Sequence, residues 1–166
     1  MAGIDHNLDV LSRAKCNLDR VYCVDLNSEF DLDDAITYDC LVFNDVLEHL
    51  IDPWAFLKRT RKYLSKDGWL LASIPNLQNH KILRKLLWNG DFRYAESGIL
   101  DRTHLRFFTY KSAMELLQDS GFQIERMIPL GETRLHRYWR LLNLCSAGAL
   151  PKTRYQQFLF LAKKIS

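Results

Sequence analysis

Two histidines stand among carboxylates in this sequence, and imidazole is the side chain best placed to move a proton near neutral pH. Glu48-His49 follows a short apolar run, residues 40–43, by way of Asn44-Asp45. His104 lies between Arg102 and Arg106, with Asp101 just upstream. An unperturbed imidazole titrates near pH ~6.5, so His49 or His104 can act as a general base toward a hydroxyl. His49 is the first choice because it directly follows the strand-like run. It has a second reading, as a cap for the helix that begins near Pro53 or as a partner of Glu48 that fixes the loop. His104 has one too, because alternating Arg102, His104 and Arg106 can tie Asp101 or Glu96 to the sheet. Glu48-His49 also raises a metal centre. The two are adjacent, however, and no histidine pair stands at i, i+4, so no metal is expected.

The elements that must position these groups alternate along the chain. Residues 40–43 suit a strand buried on both faces, and the polar residues after it lie at its carboxyl end, where open α/β sheets bind ligands. Upstream, Asn7 to Ala14 reads as helix and Val21 to Asp25 as strand. Asp52-Pro53 supplies an N-cap and first helical residue for a helix to Leu64, with Phe56, Leu57, Tyr63 and Leu64 on one face. Lys66-Asp67-Gly68 predicts a turn into a buried strand, Trp69 to Ile74. A helix over His80 to Trp88 is broken by Asn89-Gly90. Thr109 caps a helix ending near Ser120, with Gly121 in the left-handed position beyond it. Phe122 to Pro129 and an antiparallel Phe158 to Lys163 complete a mostly parallel sheet covered by helices on both faces.

The 166 residues are 48% hydrophobic and 12% aromatic, enough for one domain over 1–166 with an ordinary core. A net charge of +3, dispersed along the chain, gives no nucleic-acid footprint. Cys16, Cys23, Cys40 and Cys145 show no metal-ligand spacing, and two fall in strands expected to be buried, so they read as reduced thiols of a cytoplasmic protein. No signal-peptide pattern opens the chain and no apolar run reaches the ~18 residues of a membrane span. Residues 133–155 form a basic amphipathic insertion, in which Arg134, His136, Arg137 and Arg140 alternate with Leu135, Tyr138 and Trp139. Such a segment lies on a membrane, covers a pocket, or packs against the core with a solvated basic side. The stretch from Asn76 to Phe108 predicts a lid, with Trp88, Phe92, Tyr94 and Phe107 as apolar and stacking surface.

Asp45-Val46-Leu47-Glu48-His49-Leu50, Asp52-Pro53, Ser73-Ile74-Pro75-Asn76 and Asp101-Arg102-Thr103-His104-Leu105-Arg106-Phe107-Phe108-Thr109 occur here in order. Together they make the chain, over about residues 3–129, resemble the class I S-adenosylmethionine-dependent methyltransferases. The resemblance implies a Rossmann-like α/β fold and S-adenosylmethionine as cofactor, and the Arg and His residues near the expected lid suit a small or sugar-like acceptor. Gly3-Ile4-Asp5 is similar to the end of the family's second strand, which implies that Asp5 accepts hydrogen bonds from the ribose hydroxyls. By the same likeness His6 and Asn7 border the adenosine, Asp25 accepts from the exocyclic amine, Leu26 flanks adenine and Asn44 lies beneath the methionine end.

The family's first strand and Gly-rich loop have no counterpart in this sequence. In the family's numbering this implies a strand order of about 3-2-4-5-7-6, or a homodimer in which a second copy covers the exposed central edge. It also implies a cofactor site short of several backbone donors. The alternative expectation is a truncated, non-catalytic relative that serves as a binding or scaffold protein. A nicotinamide-dependent oxidoreductase is disfavoured, because no GxGxxG follows a strand.

Overall fold

Asn7 starts the first helix by accepting the N–H groups of Asp9 and Val10 on its side-chain oxygen, 2.9 and 3.4 Å away. This satisfies donors that have no partner within the helix. Strand β1 (Ala2–Asp5), helix α1 (Leu8–Ala14) and strand β2 (Arg20–Cys23) follow one another, and β1 and β2 pair in parallel with Asp5 opposite Cys23. In the computed structural model, residues 1–32, 36–132 and 151–165 are described. They fall into two compact units, Met1–Thr37 and Tyr38–Ser166, and β1, α1 and β2 belong to the first.

The second unit holds strand β3 (Tyr38–Asn44), helix α2 (Pro53–Thr60), strand β4 (Leu64–Pro75), helices α3 (His80–Asn89) and α4 (Tyr110–Asp119), and strands β5 (Phe122–Leu130) and β6 (Gln157–Lys164). Its sheet has the order β3-β4-β6-β5, with β3 parallel to β4 and β6 antiparallel to both of its neighbours. The core is a row of register partners on one face: Leu70 opposite Ala162, Ala72 opposite Phe160, and Ile74 opposite Phe158, all at most 1% exposed. Each large apolar side chain so enclosed contributes about 1.5–3 kcal/mol. Leu57 of α2 and Leu116 and Leu117 of α4 are fully buried as well.

Several expectations change on meeting the fold. In the family's numbering the neighbours 3-2 and 4-5-7-6 are present, but in two separate sheets, and no ladder between β1 and β3 occurs among the described residues. Strand β3 is not buried on both faces. Phe43 meets Phe56 of α2 at 5.2 Å between ring centroids, while Cys40, Val42 and Asn44 alternate on an exposed face, because α2 covers only one side. Cys40 on that face is exposed rather than interior, and so is Cys23 at the end of β2. Lys66-Asp67-Gly68 does not turn the chain. It lies inside β4, where the register jumps from Tyr38 opposite Leu64 to Cys40 opposite Trp69, so the extra residues form a bulge.

Helix α2 ends at Thr60, and a 3-10 turn at Arg61–Tyr63 carries the chain into β4. Strand β2 stops at Cys23, which leaves Asp25 in the following turn. The basic insertion falls outside the described residues over 133–150, and a short 3-10 turn at Pro151–Arg154 leads into β6. No helix among the described residues is long and apolar enough to cross a membrane.

Local start and stop signals hold. Asp52 accepts the N–H of Ala55 at 2.9 Å, with Pro53 as the first helical residue. Thr109 and Ser112 form a reciprocal capping box at the start of α4, and Gly121 follows its end at φ +83°. A Cβ on Gly121 would also stand 2.6 Å from the Arg61 guanidinium. Thr109→Ala should lower unfolding free energy by about 1 kcal/mol in a urea titration; an unchanged midpoint would mean that the capping box contributes nothing to folding.

Candidate active site

The carboxyl ends of β3 and β4 lie side by side because Asn44 and Ser73 are register partners. Asp45 then leaves β3 with φ +53°, a left-handed conformation that Asp tolerates better than most residues but that still costs energy. The Ser73 hydroxyl offsets this. It accepts the Asp45 N–H and donates to the Asp45 carboxylate, each at 3.0 Å, and Gln157 of β6 donates to the same oxygen at 2.6 Å. This backward turn sends the chain into a 3-10 turn, Leu47–His49, that presents Glu48 and His49 beside the sheet. Strained aspartates at a strand end are a structural mark of a functional site, and sequence reasoning did not single out Asp45 as one.

The loop before α4 is pinned to the same place by its backbone. The Glu48 carbonyl accepts the N–H groups of both Leu105 and Arg106 at 2.9 Å, and Arg106 donates from its guanidinium to the Ile51 carbonyl. His104 thereby comes within 4.7 Å of His49, centroid to centroid, with its ring edge-on. Glu48 is 1% exposed, and neither carboxyl oxygen has a hydrogen-bond partner among the described residues. His104 Nε2 stands 4.0 Å from Glu48 Oε1, too far for a hydrogen bond. Desolvation, opposed by Glu48's own backbone N–H, which falls short of hydrogen-bond geometry, and helped by the nearby Asp45 charge, pushes the Glu48 carboxyl up to about 8.

Each imidazole is oriented through Nδ1. His49 Nδ1 lies 3.2 Å from both the carbonyl and the hydroxyl oxygen of Thr103, and that hydroxyl donates to Asp101 at 2.6 Å. Asp101 also accepts the Thr103 N–H at 2.8 Å, and the Thr103 hydroxyl and N–H hold its carboxyl below the usual carboxylate range. His104 Nδ1 lies 3.1 Å from the Ile99 carbonyl. A cavity of about 340 Å³ opens over Asp45, Glu48, His49, Asp101, His104 and Gln157.

Both sequence-derived catalytic candidates thus converge, and their alternative readings can be weighed. His49 caps nothing, since Asp52 is the N-cap of α2, and it is held by Thr103 rather than by Glu48. Arg102 does pair with Glu96, as the alternation suggested. The spacing argument about metals considered only neighbours along the chain, whereas the fold adds His104. Ligand atoms of Glu48, His49 and His104 all lie within 4.8 Å of one another. Among the lid aromatics, Phe92, Tyr94 and Phe107 form a ring cluster with centroids 5.7–6.2 Å apart, and Trp88 is exposed.

The residues expected to hold a nucleoside lie in the first unit, apart from Asn44, which ends β3 on its exposed face. Asp5 ends β1, and its carboxylate accepts the Asn7 N–H at 2.8 Å with His6 Nδ1 at 3.6 Å. Asp25 lies just beyond β2 and accepts the Asn27 N–H at 2.9 Å, with Leu26 in the same turn. Because β1 and β2 are parallel and Asp5 pairs with Cys23, both carboxylates stand at one end of the ladder. A weak Cys23 thiol contact to the His6 carbonyl, 3.6 Å, joins the two loops.

A family model described as a methyltransferase domain matches residues 2–126. The chain belongs to the methyltransferase-domain family. Solved structures agree on the fold. An S-adenosylmethionine-dependent methyltransferase from Archaeoglobus fulgidus is 16% identical, with a TM-score of 0.64 over 98% of this chain and 75% of that one. One from Methanosarcina mazei is 19% identical, with a TM-score of 0.63 over 99% and 81%. One from Mesorhizobium loti is 17% identical, with a TM-score of 0.60 over 98% and 79%. No curated protein matches by sequence. The architecture of this methyltransferase-domain chain is accordingly the class I, Rossmann-like α/β fold, with β6 running against its neighbours.

The buried carboxyl of this methyltransferase has a consequence for stability. The folded state keeps the Glu48 proton up to about pH 8, while the unfolded chain releases it near 4.5. Between these values the folded state binds more protons, so stability falls as pH rises. In chelator-containing buffer, Glu48→Gln should gain on the parent from pH 5 to 8, by at most about 1.4 kcal/mol per pH unit. Parallel urea midpoints across that range would show that the carboxyl ionises normally.

Proposed function

We propose that this chain is an S-adenosylmethionine-dependent methyltransferase that modifies a hydroxyl of a small polar, sugar-like acceptor. The observation that carries the reading is that one methyltransferase-domain match, residues 2–126, spans both the carboxylate-bearing strand ends and the Glu48–His49–His104 cluster. The cofactor fits the residues of the first unit. Ionised Asp5 and Asp25 are pure acceptors at one end of a parallel ladder, suited to a ribose diol and to an exocyclic amine. His6 and Leu26 border them in the same unit.

When bound, S-adenosylmethionine supplies an electrophilic methyl group and leaves as a neutral thioether. The oxygen–methyl bond forms on the acceptor as the sulfur–methyl bond breaks, and the hydroxyl proton must be taken up. His49 and His104 are the residues positioned for that. Both partners of His49 Nδ1 can act as acceptors, the carbonyl by nature and the Thr103 hydroxyl because its own proton goes to Asp101. Nδ1 therefore carries the hydrogen, and Nε2 keeps a lone pair. Much of the remaining rate enhancement comes from alignment in a water-poor pocket.

A specific observation favours a second reading, a non-catalytic binding or scaffold protein. The seven glycines are scattered, and none forms a Gly-rich loop that would bring backbone donors to the cofactor. Each missing donor removes about 0.5–1.5 kcal/mol. Calorimetric titration separates the two: micromolar S-adenosylmethionine binding that weakens at least about tenfold in Asp5→Ala is expected. No heat of binding at millimolar cofactor would leave the scaffold reading.

A homodimer belongs to the same proposal, supported by β3 standing at the end of its sheet. Light scattering should give a mass of two chains at high concentration; one chain's mass throughout would exclude it.

A further inference from the structure

We infer that Glu48, His49 and His104 form a binding site for one first-row divalent cation. The first ground is the direction of the lone pairs. His104 Nδ1 faces the Ile99 carbonyl, which can only accept, so Nδ1 bears the hydrogen and Nε2 turns a lone pair toward Glu48. His49 is fixed in the same tautomer by Thr103. One nitrogen of each imidazole and a carboxyl oxygen of Glu48 lie within 4.8 Å of one another.

The second ground is independent of the first. Glu48 is a carboxyl 1% exposed, aimed into this cluster, and both oxygens lack any donor among the described residues. Burying a polar group without a partner is costly, and proteins seldom retain one without a use. A cation between the three groups satisfies the carboxylate and both lone pairs at once.

The third ground is the outer layer. Each histidine donates its other nitrogen to a backbone carbonyl, and His49 is further buttressed through Thr103 to the Asp101 carboxylate. Such partners fix tautomer and ring direction in metal centres. A cation at about 2.0–2.2 Å from each ligand requires the three atoms to draw closer than they stand, a side-chain rotation for half-buried His49. Two nitrogens and one carboxylate suit manganese, iron or zinc better than magnesium or calcium. The cavity over the cluster leaves coordination positions open toward an acceptor hydroxyl, so in the metal-loaded chain the cation would acidify that hydroxyl as a Lewis acid and its proton would pass to solvent, the imidazoles serving as base only in the metal-free chain. That catalytic use rests on the methyl-transfer reading above; the binding site does not.

Manganese is the probe of choice, because exposed Cys16, Cys23 and Cys40 would draw zinc elsewhere. The chelator-treated chain is titrated with Mn²⁺ and free ion is read by electron paramagnetic resonance. One ion per chain is expected, bound at least about tenfold more weakly by Glu48→Gln and by His49→Gln. No stoichiometric uptake, or uptake unchanged in both variants, overturns the site. Should the variants not fold, substoichiometric Mn²⁺ should broaden the proton resonances of His49 and His104 in the parent chain before those of His6 and His80. Equal broadening of all four overturns the site as well. The cofactor titration with Asp5→Ala is run without metal, so loss of the methyl-transfer reading and loss of the cation site are told apart.

Discussion

The Glu48 backbone carbonyl is the constraint on which the site depends. Its two lone pairs take the N–H groups of Leu105 and Arg106, and this fork fastens a loop from far along the chain to the turn after β3. His104 reaches Glu48 and His49 only because its neighbours are held in this way. The Arg106 guanidinium reinforces the fork by capping the Ile51 carbonyl. Two backbone carbonyls thus fasten the loop, since loop closure costs entropy that must be met by specific bonds.

A second constraint follows from burial. The fork and the core beneath it, where Leu47 and Leu50 are almost wholly enclosed, carry the Glu48 side chain out of water with them. Removing water strengthens every electrostatic interaction of that carboxyl and withdraws its solvent partners. The result is a raised proton affinity and two unmet acceptors in a pocket lined by imidazoles. Stability is given up locally, and the same is true at Asp45, whose left-handed backbone is held by Ser73 and Gln157. Costs of this kind concentrate at working sites.

The two units carry different sets of polar residues. In the first, a two-stranded parallel ladder sets Asp5 and Asp25 at one end, each with a carboxylate already bonded to backbone two residues ahead. In the second, a four-stranded sheet with its buried row of phenylalanines and aliphatics supports the titratable cluster. Rigid register in each ladder is what makes the end positions predictable. A one-residue slip would turn Ser73 away from Asp45 and the core residues outward together.

The sequence by itself determined the local punctuation: Asp52-Pro53, Thr109 and Gly121 act on neighbours a few residues away, so their roles were legible. The ordered motifs likewise determined the family and the identity of His49 and His104 as chemical groups. Properties that depend on what covers a residue were not legible. Burial of β3, exposure of Cys23 and Cys40 and the bulge at Lys66-Asp67-Gly68 all depend on partners distant in the chain. Only the tertiary structure decided that the Glu48 carboxyl lacks a donor among the described residues, that both imidazoles hold Nδ1 against an oxygen, and that the three groups meet. Hydrogen-bond direction and desolvation are properties of an assembled neighbourhood, and no spacing along a chain encodes them.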